Sequence, residues 1–172
     1  MTITLIGMPA VGKSRMGKSI AKKFNMKLVD GDKVIVKKDG RPLQQIMDEE
    51  GLDGFKRIEE ETLLTIKEDN IVFTPGGSAV YYPSVMKQFK ESGIIVYLYA
   101  SAETISNRMV DFSQRGVVLK KGMTMMDLYN ERAPLFEKYA DIIVNCDGTE
   151  FAKYKRNANE QIENLLNKIG QK

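Results

Sequence analysis

A short run near the start of the chain places two glycines, a lysine and a hydroxyl at a spacing that grips phosphate. Gly7, Met8, Pro9, Ala10, Val11, Gly12, Lys13 and Ser14 satisfy the pattern G-x-x-x-x-G-K-[ST] in full. Glycines let backbone amides converge on an anion without side-chain obstruction. Lys13 has the reach for β- and γ-phosphates, and the Ser14 hydroxyl can complete a Mg²⁺ shell. The setting agrees: the apolar run Thr2–Ile6 comes before the loop, and Met16, Ile20 and Phe24 share one helical face after it. A helix starting there adds roughly half a positive charge. The chemistry is that of a nucleoside triphosphate site, and the use made of the triphosphate stays open.

A second pair of chemical residues is Asp30 and Asp32, at the end of the apolar run 27–29. At a strand end in a doubly wound sheet, both face the crevice that holds the phosphate loop. Asp30 suits Mg²⁺ held through water, and Asp32 suits hydrogen bonds from a substrate hydroxyl; a plain loop cap is the competing reading. Composition bounds the rest. The chain has 172 residues and no histidine, and Cys146 is its only cysteine. Histidine bases, Ser-His-Asp and Cys-His nucleophile systems, disulfides and Cys-rich metal sites are therefore excluded. A formal charge of +3 gives no reason to expect nucleic acid or membrane as a partner. No run approaches the roughly 20 apolar residues that span a bilayer. No signal or transit peptide is read at the N-terminus, and a lone cysteine fits a reducing cytoplasm.

These residues need a frame. Apolar runs at Thr2–Ile6, 27–29, 71–73, 94–99 and 142–144 are near-continuous, as in strands buried on both faces of a parallel sheet. Helical patterns lie between them. Phe55, Ile58, Thr62 and Ile66 share one face, and Phe151, Tyr154, Ala158, Ile162, Leu165 and Ile169 stripe a C-terminal helix. Alternating strands and helices predict an α/β chain with right-handed crossovers. Residues 111–126 carry Arg115, Gly116, Lys120, Lys121 and Gly122 with weak periodicity, which suggests a lid over an anion.

Four segments follow in a telling order: Gly40 to Met47; Gly51 to Glu59, with Phe55, Lys56 and Arg57; Pro75, Gly76, Gly77, Ser78, Ala79 and Val80; and Glu131, Arg132, Ala133, Pro134, Leu135 and Phe136. In order and spacing the chain resembles the shikimate kinases over nearly its whole length. The resemblance implies a three-layer P-loop kinase fold with a five-stranded parallel sheet of order 2-3-1-4-5. It also implies one kinase domain over 1–172, with a helical substrate arm at about 32–62 and a lid at about 111–126. The implied reaction is ATP-dependent phosphorylation of shikimate to shikimate 3-phosphate by a cytoplasmic monomer. Gly7, Pro9, Ala10, Val11, Gly12, Lys13, Ser14, Arg15, Arg108 and Arg115 would serve ATP, with Arg108 on adenine and Arg115 on the phosphates. Ser14 and Asp30 would serve Mg²⁺, with Thr74 near its waters. Asp32, Lys56, Glu59, Gly76, Gly77, Ser78 and Arg132 would hold the acceptor, Arg132 on its carboxylate. Lys13, Asp32 and Arg115 are the expected catalytic set.

The sequence departs from the family pattern at four places. Lys56 stands where an arginine follows the phenylalanine of the arm, which keeps the charge and loses the planar fork. Arg57, the neighbouring candidate, points about 100° away on a helix. Ser78 adds a side chain where a third glycine is usual, Gly116 replaces a proline in the lid, and Arg15 replaces a small hydroxyl residue. Lys56 and Ser78 both fall on the acceptor side. A kinase of another hydroxy acid or polyol such as gluconate, a nucleoside monophosphate kinase, and a non-catalytic ATP-binding relative are the alternatives.

Overall fold

In the computed structural model, β1 (Thr2–Ile6) is buried along its whole length, and the rest of the sheet grows out from it. It pairs in parallel with β3 (Ile71–Thr74) on one side and β4 (Gly93–Tyr99) on the other. The edges are β2 (Lys27–Asp30) beside β3 and β5 (Ile142–Asn145) beside β4. The resulting order, β2-β3-β1-β4-β5, is the one expected. Structure is described for residues 1–109, 122–148 and 150–170. The expected lid therefore lies largely outside the described residues, as do Arg115 and Gly116. Its last residues, 124–126, cap and open a helix instead.

Parallel neighbours with helices on both faces require apolar side chains in both directions, so β1, β3 and most of β4 are buried throughout. The edge strand β5 departs from that expectation. Its residues alternate buried and exposed, and Ile143 is 49% exposed. The C-terminal helix α7 (Phe151–Gly170) covers one face of β5 through Ala158 and Ile162. The far end of its stripe, Ile169, has run past the sheet into solvent.

The crossovers are α1 (Lys13–Lys23), α4 (Pro83–Ser92) and the pair α5 (Ala102–Arg108) and α6 (Met125–Tyr139). Between β2 and β3 the chain inserts α2 (Gly31–Asp39) and α3 (Leu43–Leu64), which form the arm. Ile35, Ile46 and Phe55 give it a small core of its own, apart from the main one. Gly51 breaks α3 internally with φ of 70°, a value glycine adopts freely. Arg41 ties the tip by pairing with Asp39, Glu49 and Glu50.

Two helices carry charged residues within their buried stripes. On α6 the buried side chains are Leu128, Arg132 and Phe136, four apart. On α3 they are Ile46, Phe55, Glu59, Thr62 and Leu63. The face expected from Phe55, Ile58, Thr62 and Ile66 is thus rotated. Ile58 turns to the arm's small core, and Ile66 lies beyond the helix end. A charge on a core stripe costs several kcal/mol unless it is paired. Arg132 and Glu59 therefore mark the place where the core opens into a site.

Candidate active site

The strand order reverses around β1, and ligands of such sheets bind beyond the strand ends at that point. Here the ends of β1, β2 and β3 surround a cavity of about 370 Å³. The phosphate loop forms its floor. Gly7 has φ of 146°, and a Cβ there would stand 2.6 Å from the Leu98 carbonyl oxygen, so only glycine fits. Gly12 caps α1 with φ of 105°. Lys13 folds back over the loop and donates from Nζ to the carbonyl oxygens of Gly7 at 2.8 Å and Met8 at 3.0 Å. Its ammonium pKa falls to about 8, chiefly through desolvation; Asp32 and Asp30 pull it up and Arg132 pushes it down.

Asp30 ends β2, beside Thr74 at the end of β3. Asp32 lies two residues further on, in the first turn of α2. Both carboxylates line the cavity with Ser14. Desolvation raises the Asp32 pKa first and the Asp30 charge second, against the pull of Lys13. A cation between these oxygens would relieve that repulsion, and hard oxygen donors suit Mg²⁺. No group of three acidic, histidine or cysteine side chains gathers for a metal among the described residues. That fits an ion that takes one or two protein oxygens and completes its shell with water and phosphate. The Thr74 hydroxyl donates to the Val29 carbonyl oxygen at 3.4 Å.

The opposite wall is built from α3, α6 and the turn after β3. Glu59 is 1% exposed and accepts from Ser78 Oγ at 2.7 Å on Oε1 and from Tyr82 OH at 2.6 Å on Oε2. Burial raises its pKa, while the two hydroxyls act the other way. Arg132, also 1% exposed, donates from Nε to Tyr81 OH at 3.1 Å and stacks over the Tyr81 ring. Tyr81 OH donates in turn to Glu131. Gly76 and Gly77 pass between these groups. A Cβ on Gly76 would stand 2.8 Å from Glu59 Oε1, and one on Gly77 would stand 2.8 Å from Arg132 Nη1.

A second cavity of about 170 Å³ adjoins the loop, lined by Val11, Arg15, Arg108, Phe151 and Tyr154 among others. Arg108 donates to the carbonyl oxygens of Cys146 at 2.7 Å and Gly148 at 2.6 Å, which fixes its guanidinium plane. Arg15 lines both cavities, with its guanidinium 3.9 Å from the Phe151 ring centroid.

The main cavity thus gathers Pro9, Ala10, Gly12, Lys13, Ser14, Arg15, Asp30, Asp32, Glu59, Gly76, Gly77, Ser78 and Arg132. Val11 and Arg108 belong to the second cavity. Lys56 is not on the lining: its ammonium lies over the Tyr81 ring, 5.8 Å from the centroid. Arg57 faces solvent. The Ser78 hydroxyl is turned to Glu59 rather than blocking the cavity. Tyr81, Tyr82 and Phe151 were missed as site residues by sequence reasoning. The available signal was two charges on core stripes, each needing a polar partner close by.

A phosphate loop at the sheet switch point, an acidic pair beside it and an acceptor wall with a buried arginine define a P-loop small-molecule kinase. Comparisons with known proteins narrow the class. The family model "Shikimate kinase" matches residues 9–169. A shikimate kinase of Francisella tularensis subsp. novicida is 33% identical over 171 residues, covering 97% of this chain and 91% of the relative. The crystal structure of the Acinetobacter baumannii shikimate kinase in complex with shikimate superposes with a TM-score of 0.83 at 25% identity, covering 97% and 93% of the two chains. The Aquifex aeolicus shikimate kinase gives 0.80 at 26% identity, covering 96% and 99%. This chain belongs to the shikimate kinase family, whose members use ATP and Mg²⁺ to phosphorylate a hydroxyl of shikimate. No helix among the described residues is long and apolar enough to cross a membrane.

Proposed function

We propose that this chain phosphorylates shikimate through the cleft between the phosphate loop and the Glu59–Arg132 wall. The observation that carries the reading is Arg132: a buried guanidinium on a core stripe, facing the cavity that holds Lys13 and the acidic pair. A guanidinium there offers a charged fork for the carboxylate of the acceptor. Glu59, behind Gly76, takes the hydroxyl side of the ring. Asp32 accepts the proton of the attacking hydroxyl at its carboxylate and aims that oxygen at the phosphoryl group. Lys13 leaves the Gly7 and Met8 carbonyls to meet the phosphate oxygens. Ser14 and Asp30 would hold Mg²⁺, which would supply charge neutralisation to the phosphates. Arg108 and Arg15 line the nucleoside end, and Arg115, outside the described residues, is the further cation expected on the phosphates. A buried free cysteine suits the cytoplasm.

Two substitutions test the assignment. Lys13→Ala abolishes transfer; turnover within about tenfold of the parent contradicts the phosphate-loop role. Arg132→Ala raises the acceptor KM by at least about thirtyfold, as loss of one partner from a buried charged pair requires, with the ATP KM little changed. A raised ATP KM with an unchanged acceptor KM assigns Arg132 to the wrong ligand.

A further inference from the structure

The acceptor wall carries two buried charges of opposite sign, and one short segment supplies hydroxyl partners to both. Ser78 starts it, a 3-10 turn covers Ala79–Tyr81, and Tyr82 ends it. Three hydroxyls project from these residues, and each touches the charged groups of the wall. Ser78 Oγ and Tyr82 OH take one oxygen each of Glu59. Tyr81 OH takes Nε of Arg132 and gives its own hydrogen to Glu131.

We propose that this turn is a positioning device for acceptor recognition, in which Tyr81 sets the plane of Arg132, and Ser78 with Tyr82 sets the plane of Glu59. One donor on each carboxylate oxygen fixes rotation about the final bond of Glu59. An acceptor on Nε, with the ring against the guanidinium at 5.1 Å, fixes the rotation of Arg132. Both charged groups then lie against Gly76 and Gly77, where space is too tight for even a methyl group. Lys56 Nζ also lies over the Tyr81 ring, 5.8 Å from its centroid, so the ring is shared by two cations. Ser78 is thereby a working part of the wall, not an obstruction in it. Holding a recognition group within a fraction of an ångström is what packed supporting hydrogen bonds supply.

The inference rests on Arg132 and Glu59 binding the acceptor, and the test separates the two ideas. The variants are Tyr81→Phe, which keeps the ring and removes the hydroxyl, Tyr82→Phe and Ser78→Ala. Each is assayed for the KM of shikimate, the KM of ATP and kcat, with thermal unfolding as a check on folding. Tyr81→Phe is also assayed with the methyl ester of shikimate, which lacks the carboxylate charge. Tyr81→Phe is expected to raise the shikimate KM about tenfold, the size of one hydrogen bond to a charged group, with the ATP KM unchanged. The preference for the acid over the ester shrinks by the same factor. Tyr82→Phe and Ser78→Ala raise the shikimate KM but keep that preference. A Tyr81→Phe enzyme with parental shikimate KM, or with acid and ester weakened equally, overturns the proposal. So do Tyr82→Phe and Ser78→Ala enzymes that both keep the parental shikimate KM. If Arg132→Ala also leaves the shikimate KM unchanged, the site assignment itself fails; if Arg132→Ala raises it and Tyr81→Phe does not, only the positioning role fails.

Discussion

Gly77 and Arg132 stand in direct apposition across the acceptor wall: a methyl group on Gly77 would come to 2.8 Å from Arg132 Nη1. The atom it would meet is the end of a side chain, so the fold can absorb the change by moving the guanidinium. That movement would displace the fork proposed to hold the acceptor carboxylate. Gly77→Ala is therefore expected to raise the shikimate KM by about tenfold or more while shifting the melting temperature by only a few degrees. Steady-state kinetics beside a thermal scan checks this. A large loss of stability with an unchanged KM would mean that Arg132 cannot move and does not touch the acceptor.

Glu59 is a buried carboxylic acid whose pKa is raised by desolvation. A raised acid pKa means that its contribution to stability is complete below the unfolded value of about 4.5 and is lost as pH rises through the folded value. Glu59→Gln removes the ionisation. The stability of the parent relative to Glu59→Gln should fall as pH climbs from about 4.5 toward neutrality. Denaturant unfolding of both proteins across that range measures it. A difference that is flat, or that grows in favour of the parent, contradicts the assigned direction.

Lys13 has an ammonium pKa lowered to about 8 while it sits on the Gly7 and Met8 carbonyls. Phosphate oxygens favour the charged form and restore the proton. At pH 8, ATP binding should therefore take up about half a proton at this group. Calorimetric titration in buffers of different ionisation enthalpy reads the uptake directly. Lys13→Arg, whose guanidinium stays charged, should lack this component. Equal uptake by parent and variant places the proton elsewhere.

Lys56 lies over the Tyr81 ring and outside the lining of the main cavity. Arg stacks on aromatic faces at least as well as Lys. Lys56→Arg is thus expected to hold the shikimate KM within about threefold or to lower it, while Lys56→Ala raises it modestly. A severe loss with arginine would argue for a site tuned to lysine and for a different acceptor.

The frame of this molecule was legible because parallel strands buried on both faces announce themselves as unbroken apolar runs. Thr2–Ile6 and its partners at 71–74 and 93–99 needed no tertiary knowledge. The loop from Gly7 to Ser14 was equally plain, since its backbone geometry dictates its residues. Legibility failed where a residue's meaning depends on a distant partner. Ile58 and Glu59 are neighbours in sequence, and only the packing of the arm decides that Ile58 joins the small core while Glu59 turns to the main cavity. Nothing in the spacing of Lys56 shows that its ammonium lies over the ring of Tyr81, 25 positions further on. Ser78 read as an intrusion, yet its hydroxyl holds Glu59. Tyr81 and Tyr82 went unread because nothing in their spacing shows a hydroxyl finding a charge 50 or 23 positions away.

The measurement that tests the central claim most directly is acceptor-dependent ADP release with Mg²⁺ and ATP, using shikimate against a panel of hydroxy acids and polyols that includes gluconate. The account predicts strong ADP release with shikimate, its loss in Arg132→Ala, and little above background with the others. Preference for gluconate or another acceptor, or ATP binding with no acceptor-dependent ADP release at all, would contradict it.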